Sequence, residues 1–416
     1  MDLVEGAPEV KGTAPKPKRL RRSCSRSPQE KAAEVAAAHA TKAASAKPVE
    51  VLDVKYLKEG GKRGKELAAR LERIFQRLRG LEQEDNHARL PRGLKKLAQA
   101  LATPVYLKHK QRDVRLLVAC ALAEVLRIYA PDAPFASKDL QSIFGLFSQS
   151  LSGGLPNLAG ATGEASLEDK CVLHLLHSLA EVKSAVILVE LFQAGAPNAE
   201  EQLRGFVEVL LSAARPEHAG TVREQLVDVL QYCFEELELV PRPVFDTLLL
   251  PLLPQHARTQ PASYQVALGL CRRCANLLHG QLSSLLNGLL DSSLGSASSQ
   301  SELSEHALPL IYELHKASPE LLLYVLPTLT EQLRVESDEE RQQVVNLLGR
   351  LYASPAANYG ADAPKLFQAF LQRGHDKSDE IRAQMAAIAS AIAQRKPALR
   401  GAVGAFLAER LQNVRP

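Results

Sequence analysis

The sequence contains no tryptophan, and aromatic residues make up only 5% of its 416 positions. Aromatic and β-branched residues are typical of strands, whereas the leucine and alanine that are frequent here favour helices. The composition therefore predicts an all-α protein. No run of about 18 apolar residues occurs, which argues against a transmembrane helix and a membrane partner. The first residues lack a basic stretch followed by an apolar one, so a secretory signal is not expected.

Cysteine is scarce as well, and the usual catalytic motifs are missing. Six irregularly spaced cysteines do not form a disulfide framework, and they fit a reducing compartment. The sequence has no GxSxG, no HExxH, no EF-hand loop and no paired CxxC. These absences predict a protein that is not an enzyme and that holds no cofactor.

Two weaker arrangements leave a metal or redox site open as an alternative. Cys271 and Cys274 form a single CxxC within a helical pattern, and His174, His177 and Glu181 share one helix face. Zinc usually requires a second cysteine pair or two histidines. One buried and one partly buried cysteine, and a partly buried polar face, are therefore the favoured interpretation, and no metal site is expected.

Charge is distributed unevenly along the chain. Residues 1–47 hold 10 basic against 5 acidic side chains, and residues 55–112 hold 16 against 6. Residues 113–416 hold 25 basic against 34 acidic side chains, a net charge of −9. The chain therefore combines a basic first quarter with an acidic body.

The first 50 residues are rich in alanine, proline, lysine, arginine and serine and have few large apolar side chains. Such a segment cannot bury enough apolar surface to order itself, so a disordered basic tail is expected. Its run KPKRLRR is typical of a nuclear import signal or of a weak nucleic-acid contact. The basic residues of this run are Lys16, Lys18, Arg19, Arg21 and Arg22.

The second basic block, Lys55 to Arg112, suggests a weak, non-specific contact with DNA phosphates. Few aromatic residues accompany it, so stacking on single-strand bases is not expected. The alternative is a solvated helical face. The basic residues on its helical faces include Arg70, Arg73, Arg77, Lys95 and Lys96.

From residue 51 to the end, the pattern alternates helices with short breaks at proline and glycine. The clearest helix starts at Val114, and its apolar residues recur at i, i+3, i+4, i+7, i+8, i+11 and i+14. Asp113 is expected to cap its first turn, and Pro131 is expected to end it.

Helix starts repeat at intervals of about 40 residues. The pattern Ser-Asp-Glu-x-Arg-x-Gln at Ser337 recurs at Ser378, 41 residues later, and further helix starts fall near Ala262 and Glu302. A period of roughly 40 to 47 residues with two helices per unit is typical of HEAT or armadillo repeats. The sequence thus predicts an α-solenoid over residues 51–416. Polar loops are expected near residues 148–167 and 291–301.

Several segments resemble one known family. Residues 112–135 read RDVRLLVACALAEVLRIYAPDAPF and are similar to the precocious-dissociation-of-sisters family, the HEAT-repeat regulators of cohesin. LAEVKS at 179–184 and LSEHA at 303–307 follow in family order, and ELHKASPELLLYVLP and SDEERQQVVNLLGRLYAS come after them. The resemblance covers roughly residues 50–416.

The chain departs from the family in three ways. Glu181 stands where the family tends to have an aromatic residue, and the glycine-rich loop after Ser150 looks like an insertion. Family members are also several times longer. A fragment or a short paralogue is therefore expected, and the kleisin-binding region is expected beyond this chain.

The resemblance implies a non-catalytic, nuclear, chromatin-associated regulator of sister chromatid cohesion. It would act with the cohesin complex and with regulators of the wings-apart-like type. In the family, the Ala-Pro-Asp-Ala-Pro motif receives peptides with a tyrosine-serine-arginine motif. Here the motif comprises Ala130, Pro131, Asp132, Ala133 and Pro134, and the residues expected to flank it are Arg127, Tyr129 and Phe135.

The chemistry of these five residues suits peptide binding. Pro131 and Pro134 stiffen the backbone, which lowers the ordering cost of binding. Carbonyls at the end of the preceding helix are expected to accept from a cationic ligand. The Asp132 carboxylate can pair with a ligand arginine. Two alternatives remain. The motif can be a plain inter-helix turn, or the chain can be a generic solenoid adaptor, such as a transport receptor, which the lack of tryptophan disfavours.

Overall fold

The structure is a computed structural model that describes residues 52–58, 64–83, 89–153, 155, 166–292 and 302–413. All regular structure in these ranges is helical, which confirms the all-α prediction. The predicted tail, its import signal and most of the two predicted polar loops lie outside the described residues.

The described ranges contain 22 α-helices and a few short 3-10 turns. In chain order the helices are α1 Val54–Lys58, α2 Gly64–Arg79, α3 Leu94–Leu101, α4 Pro104–Leu107, α5 Arg112–Tyr129, α6 Ser137–Ser152, α7 Leu167–Val182, α8 Val186–Gln193, α9 Ala199–Ala213, α10 Gly220–Glu235, α11 Arg242–Leu249, α12 Pro254–Thr259, α13 Pro261–Arg273, α14 Ala275–Ser292, α15 Glu302–Glu305, α16 Ala307–Ala317, α17 Leu326–Gln332, α18 Asp338–Ala353, α19 Tyr359–Asp362, α20 Pro364–Gln372, α21 Asp379–Arg395 and α22 Arg400–Asn413. Because α6 reaches Ser152 and α14 reaches Ser292, the first residues of both predicted loops are helical.

The long helices pack in two rows. In one row each helix contacts the next, in the order α2, α5, α7, α10, α13, α16, α18 and α21. The other row runs α6, α9, α11 and, further along the chain, α14, α17, α20. Contacts between neighbouring repeats are the defining feature of a helical solenoid, so the predicted HEAT and armadillo-like architecture is confirmed.

A repeated arginine holds the start of three helices in the first row. In each case, Nη1 of the arginine donates to the carbonyls six and five residues upstream. The distances are 2.7 and 3.2 Å for Arg115, 2.7 and 2.7 Å for Arg341, and 2.6 and 3.0 Å for Arg382. We refer to this arrangement as the arginine clasp. It gives a physical reason for the arginine that recurs in the sequence pattern.

Serine side chains cap the helices at the two recurring sequence patterns, whereas the cap expected at Asp113 is not formed. The hydroxyls of Ser337 and Ser378 accept from the backbone N–H groups three residues on, at 3.3 and 3.5 Å. Asp113, however, is not the cap of α5, because the helix already begins at Arg112. Its carboxylate lies in the first turn instead, where it interacts favourably with the positive end of the helix dipole.

Helix α5 is the most enclosed element of the described N-terminal part. It lies between α2 and α7, and 14 of its 18 residues are buried. It ends at Tyr129, two residues before Pro131, as the sequence predicts. No single helix in the described ranges has the length and apolar composition to span a membrane. The pair α7 and α8 meets both criteria only when combined, with a bend of 63° between them.

Candidate functional site: a braced proline turn

The predicted Ala-Pro-Asp-Ala-Pro motif forms the turn between α5 and α6. Tyr129, the last residue of α5, is only 6% exposed, and burial raises its pKa. The Asp132 carboxylate is exposed and has no hydrogen-bond or ion-pair partner among the described residues. Ala133 and Phe135 are half-buried and pack against the hydrophobic core. The turn thus presents one charged group on a backbone anchored from both sides.

A cavity of about 440 Å³ opens beside this turn. The turn supplies one wall, and the segment that leads into α3 supplies the other, which the sequence did not reveal. Arg92 and Lys95 on that second wall are both exposed, so two cations lie across the cavity from Asp132. The cavity is lined by Leu90, Pro91, Arg92, Lys95, Tyr129, Asp132, Ala133 and Pro134.

Hydrogen bonds connect the back of the turn with the last turn of α2 and with the segment that follows it. Gln83 Nε2 donates to the carbonyl of Ala130 at 2.9 Å. Arg127 Nη2 donates to the carbonyls of Leu81 at 2.8 Å and Leu78 at 3.2 Å. The Ala130 carbonyl, which follows the end of α5, therefore already accepts one hydrogen bond within the chain, and acceptance from a cationic ligand by the helix-end carbonyls stays a prediction. The Arg127 guanidinium lies behind the turn, facing the end of α2.

A buried ionic network supports this arrangement. Arg127 Nε donates to Glu124 Oε2 at 2.7 Å, and His174 Nε2 of α7 lies 2.8 Å from Glu124 Oε1. Glu124 is only 2% exposed. Burial alone would raise the pKa of this carboxyl, but the hydrogen bonds from His174 and Arg127 outweigh it and hold the pKa below its usual value. We call these three residues the Glu124 network.

The residues considered for a metal or redox site lie in environments that do not favour such a site. Both Cys271 and Cys274 are buried, so the prediction that one is only partly buried is wrong. Burial raises the pKa of Cys271 to about 12 and that of Cys274 to about 11, which keeps both as unreactive thiols at neutral pH. His177 lies 3.3 Å from Glu181 on the exposed face of α7. Within the described ranges, no group of three histidine, cysteine, aspartate or glutamate side chains is placed to hold a metal ion.

The basic block contributes exposed side chains on α2 and α3, of which Lys95 also lines the cavity at the turn. Arg73 and Arg77 lie on the exposed face of α2, and Lys95 and Lys96 are exposed on α3. Arg73 also donates to the Tyr56 hydroxyl at 3.3 Å. These cations are exposed to solvent on two separate helices. The predicted contact with DNA phosphates stays a prediction.

Known proteins resemble the chain over most of its length. The family model described as sister chromatid cohesion protein PDS5 matches residues 65–414. PDS5 homolog B of Homo sapiens is 34% identical over 295 residues, which is 71% of this chain and 19% of the human protein. PDS5 homolog A of Danio rerio is 32% identical over 312 residues, 75% of this chain and 22% of that protein. The chain therefore spans about a fifth of the length of these curated relatives.

A solved structure shares the fold. A chain of the Pds5–Scc1 complex superposes with a TM-score of 0.63 at 22% identity, covering 80% of this chain and 50% of that chain. The braced turn and its cavity fall inside the residues that the family model matches. Because that model covers well over half of the sequence, the chain belongs to the PDS5 family of sister chromatid cohesion proteins.

Proposed function

We propose that this chain is a non-catalytic regulator of cohesin that acts on nuclear chromatin. Membership of the PDS5 family supports this proposal, and so does the fold it shares with a chain of the Pds5–Scc1 complex. The chain corresponds to about a fifth of the length of its curated relatives, so we infer its function from the binding site that these residues contain. That site is the turn from residue 130 to 134, which docks tyrosine-serine-arginine motifs of cohesin release or protection factors of the wings-apart-like type.

The observation that carries the proposal is the unpaired carboxylate of Asp132 on a braced backbone. Gln83 and the Glu124 network hold the turn in place before any ligand arrives, which reduces the ordering cost of binding. A carboxylate with no internal partner is available for a bidentate contact with a guanidinium. A ligand arginine therefore binds at Asp132 in the proposed complex.

The rest of the cavity suits the other parts of such a peptide. Leu90, Pro91 and Pro134 offer apolar surface against which a ligand tyrosine ring packs. Arg92 and Lys95 lie on the opposite wall and attract the carbonyl or carboxylate groups of the peptide. The cavity thus offers apolar, anionic and cationic contacts within reach of one short peptide.

The test is calorimetric titration of the full 416-residue chain with a dodecapeptide that carries a central tyrosine-serine-arginine motif. We expect micromolar binding, and a loss of at least about tenfold in affinity in Asp132→Asn, as expected when a charged hydrogen-bonded pair is removed. Asp139→Asn is the matched control, because Asp139 is an exposed aspartate of the neighbouring helix α6. It should bind as the wild type does.

Two results contradict the proposal. Equal affinity in Asp132→Asn and wild type would place the peptide elsewhere on the chain. No binding by a folded wild-type chain would remove peptide docking at the turn, while membership of the family would stand.

A further inference from the structure

A second and larger groove lies far from the proline turn along the chain. It is formed by the 3-10 turn Pro319–Leu322 and α17 on one side and by α19 and the start of α20 on the other. Its volume is about 1110 Å³, above the range of roughly 300–1,000 Å³ that is usual for small-molecule pockets. The apolar part of its lining includes Pro319, Leu323, Tyr324, Leu326, Pro364 and Leu366.

Two neighbouring apolar side chains of this groove are open to solvent. Leu323 is 43% exposed and Tyr324 is 63% exposed. Elsewhere in the described ranges, the large apolar side chains that are this exposed occur one at a time along the chain, as Leu239 does. The Tyr324 ring lies 5.6 Å from the ring of His279, which limits its orientations. Rigid, exposed tyrosine rings are common anchors in protein interfaces.

The floor of the groove is held in one conformation by internal hydrogen bonds. Tyr359 is 2% exposed, and its hydroxyl donates to the carbonyl of Pro319 at 3.0 Å. The same oxygen lies 2.9 Å from Nδ1 of His315, whose Nε2 lies 2.7 Å from the hydroxyl of Ser354. We call His315, Tyr359 and Ser354 the His315 network. It joins the two sides of the groove beneath the floor, so the groove exists before a ligand binds.

The rim of the groove carries negative charge. Glu320 and Asp362 are exposed and have no ion-pair partner among the described residues. Glu331 also lines the groove, but its carboxylate is paired at 3.2 Å with Arg334, which is not a lining residue. Lys365 is the cationic side chain of the lining, and the body of the chain is acidic as a whole. The local and the overall field therefore favour a cationic partner.

We propose that this groove docks a peptide segment of a partner protein that combines apolar side chains with lysine or arginine. The apolar side chains cover Leu323 and Tyr324, and the cations pair with Glu320 and Asp362. A nucleic acid is disfavoured, because the same carboxylates repel its phosphates. The groove and the proline turn have no residue in common, so this site does not depend on the function proposed for the turn.

The experiment selects a random dodecapeptide phage library on the full chain and measures the dissociation constants of the three most enriched peptides by fluorescence polarisation. We expect enriched peptides with apolar residues next to lysine or arginine. Tyr324→Asp should weaken their binding by at least about tenfold, the scale of an interface anchor. Asp362→Lys should weaken it as well, and more strongly at low than at high salt.

The matched control is Leu239→Asp, which places the same charge at a single exposed apolar residue, 68% exposed, away from the groove. It should leave the dissociation constants within about twofold of wild type, since surface substitutions outside an interface have little effect. Tyr324 and Leu239 are both exposed, so neither substitution to aspartate should disturb the core. Circular dichroism verifies that each variant keeps its helix content.

Three outcomes overturn the proposal. The first is a selection that enriches no peptide. The second is enrichment of acidic peptides. The third is a set of peptides that bind Tyr324→Asp as tightly as wild type. If such peptides bind Tyr324→Asp normally but no longer bind Asp132→Asn, their binding site is the proline turn.

Discussion

Buried polar networks lie behind both the proline turn and the larger groove that contains Tyr324, but the two networks differ in charge. Behind the turn, the Glu124 network combines a carboxylate, a guanidinium and an imidazole. Behind the groove, the His315 network combines an imidazole with two hydroxyls. A buried ion is costly when it loses its partner, so removing Arg127 from the first network should be strongly destabilising. The second is a neutral assembly, and protonation of its histidine disturbs it.

Arg127→Met tests the Glu124 network most directly. It leaves Glu124 buried beside a single imidazole and removes the bonds to the end of α2. We expect a loss of about 3–5 kcal/mol in the stability of the α5 region, the usual cost of breaking a buried ion pair. Hydrogen exchange of the α5 amides measures this loss locally, which suits a repeat protein in which unfolding need not be global.

Two further variants serve as a control and as a rescue for Arg127→Met. Arg77→Met removes an exposed arginine from α2 and should change stability by less than about 0.5 kcal/mol. Adding Glu124→Leu to Arg127→Met should restore part of the loss, because the uncompensated buried charge is gone. A loss below about 1 kcal/mol in Arg127→Met would contradict the idea that the ionic network braces the turn.

The pH dependence of stability separates the two networks. Burial lowers the pKa of His315, and the nearby Lys396 and Lys316 lower it further. In the unfolded chain histidine titrates near 6.5. Below about pH 6.5, the unfolded state therefore binds a proton at His315 more readily than the folded state does. The contribution of neutral His315 to the free energy of unfolding is complete above about pH 6.5 and is lost as the pH falls below that value.

The measurement is the unfolding temperature of the full chain between pH 7.5 and 5.5. We expect it to fall by a few degrees, as a change of roughly 1 kcal/mol produces in a mid-sized domain. His315→Gln should reduce this fall, whereas His177→Gln, on the exposed face of α7, should not. An equal fall in His315→Gln and wild type would refute the role of the His315 network. The carboxyl of Glu124, whose pKa lies below its usual value, contributes stability that is lost only at more acidic pH.

A weaker effect is expected for the hydrogen bond between Gln83, in the segment after α2, and the turn. Gln83→Ala removes the hydrogen bond to the Ala130 carbonyl, a change of about 0.5–1.5 kcal/mol. Because the turn then loses one brace, the affinity for the tyrosine-serine-arginine peptide should fall by about two- to tenfold. Gln76→Ala, at an exposed position of α2, is the control and should bind as wild type does in the same titration. Unchanged affinity in Gln83→Ala would show that the turn is rigid without this bond.

Local features of the fold were predictable from the sequence. The apolar stripe after Val114 and the proline at 131 determine where α5 runs and where it ends, because both act within a few residues. The recurring arginine pattern at Ser337 and Ser378 revealed the repeat, and the structure gives its reason in the arginine clasp. The start of α5 was misplaced at Asp113, since several polar residues there can begin a helix.

The site was predictable only in part. The turn itself is a continuous segment, so its residues could be named together. Its second wall, Leu90 to Lys95, lies about 40 residues upstream and meets the turn only through the packing of α3 against α5. Glu124 and Arg127, two charged residues in an apolar stretch, were a visible signal of a buried pair. Their third member, His174, belongs to another repeat, and periodicity does not indicate that contact.

The arginine clasp has a mechanical consequence. Arg115 and Arg382 bind carbonyls of the loop just upstream of their own helix, so these bonds stabilise the start of one helix and do not join it to the next repeat. Arg341 also binds both carboxylate oxygens of Asp376, at 3.1 and 3.0 Å, and Asp376 lies in the loop before α21. The clasp of Arg341 therefore also joins α18 to α21, whereas α5 is joined to α7 elsewhere, by the contact between Glu124 and His174.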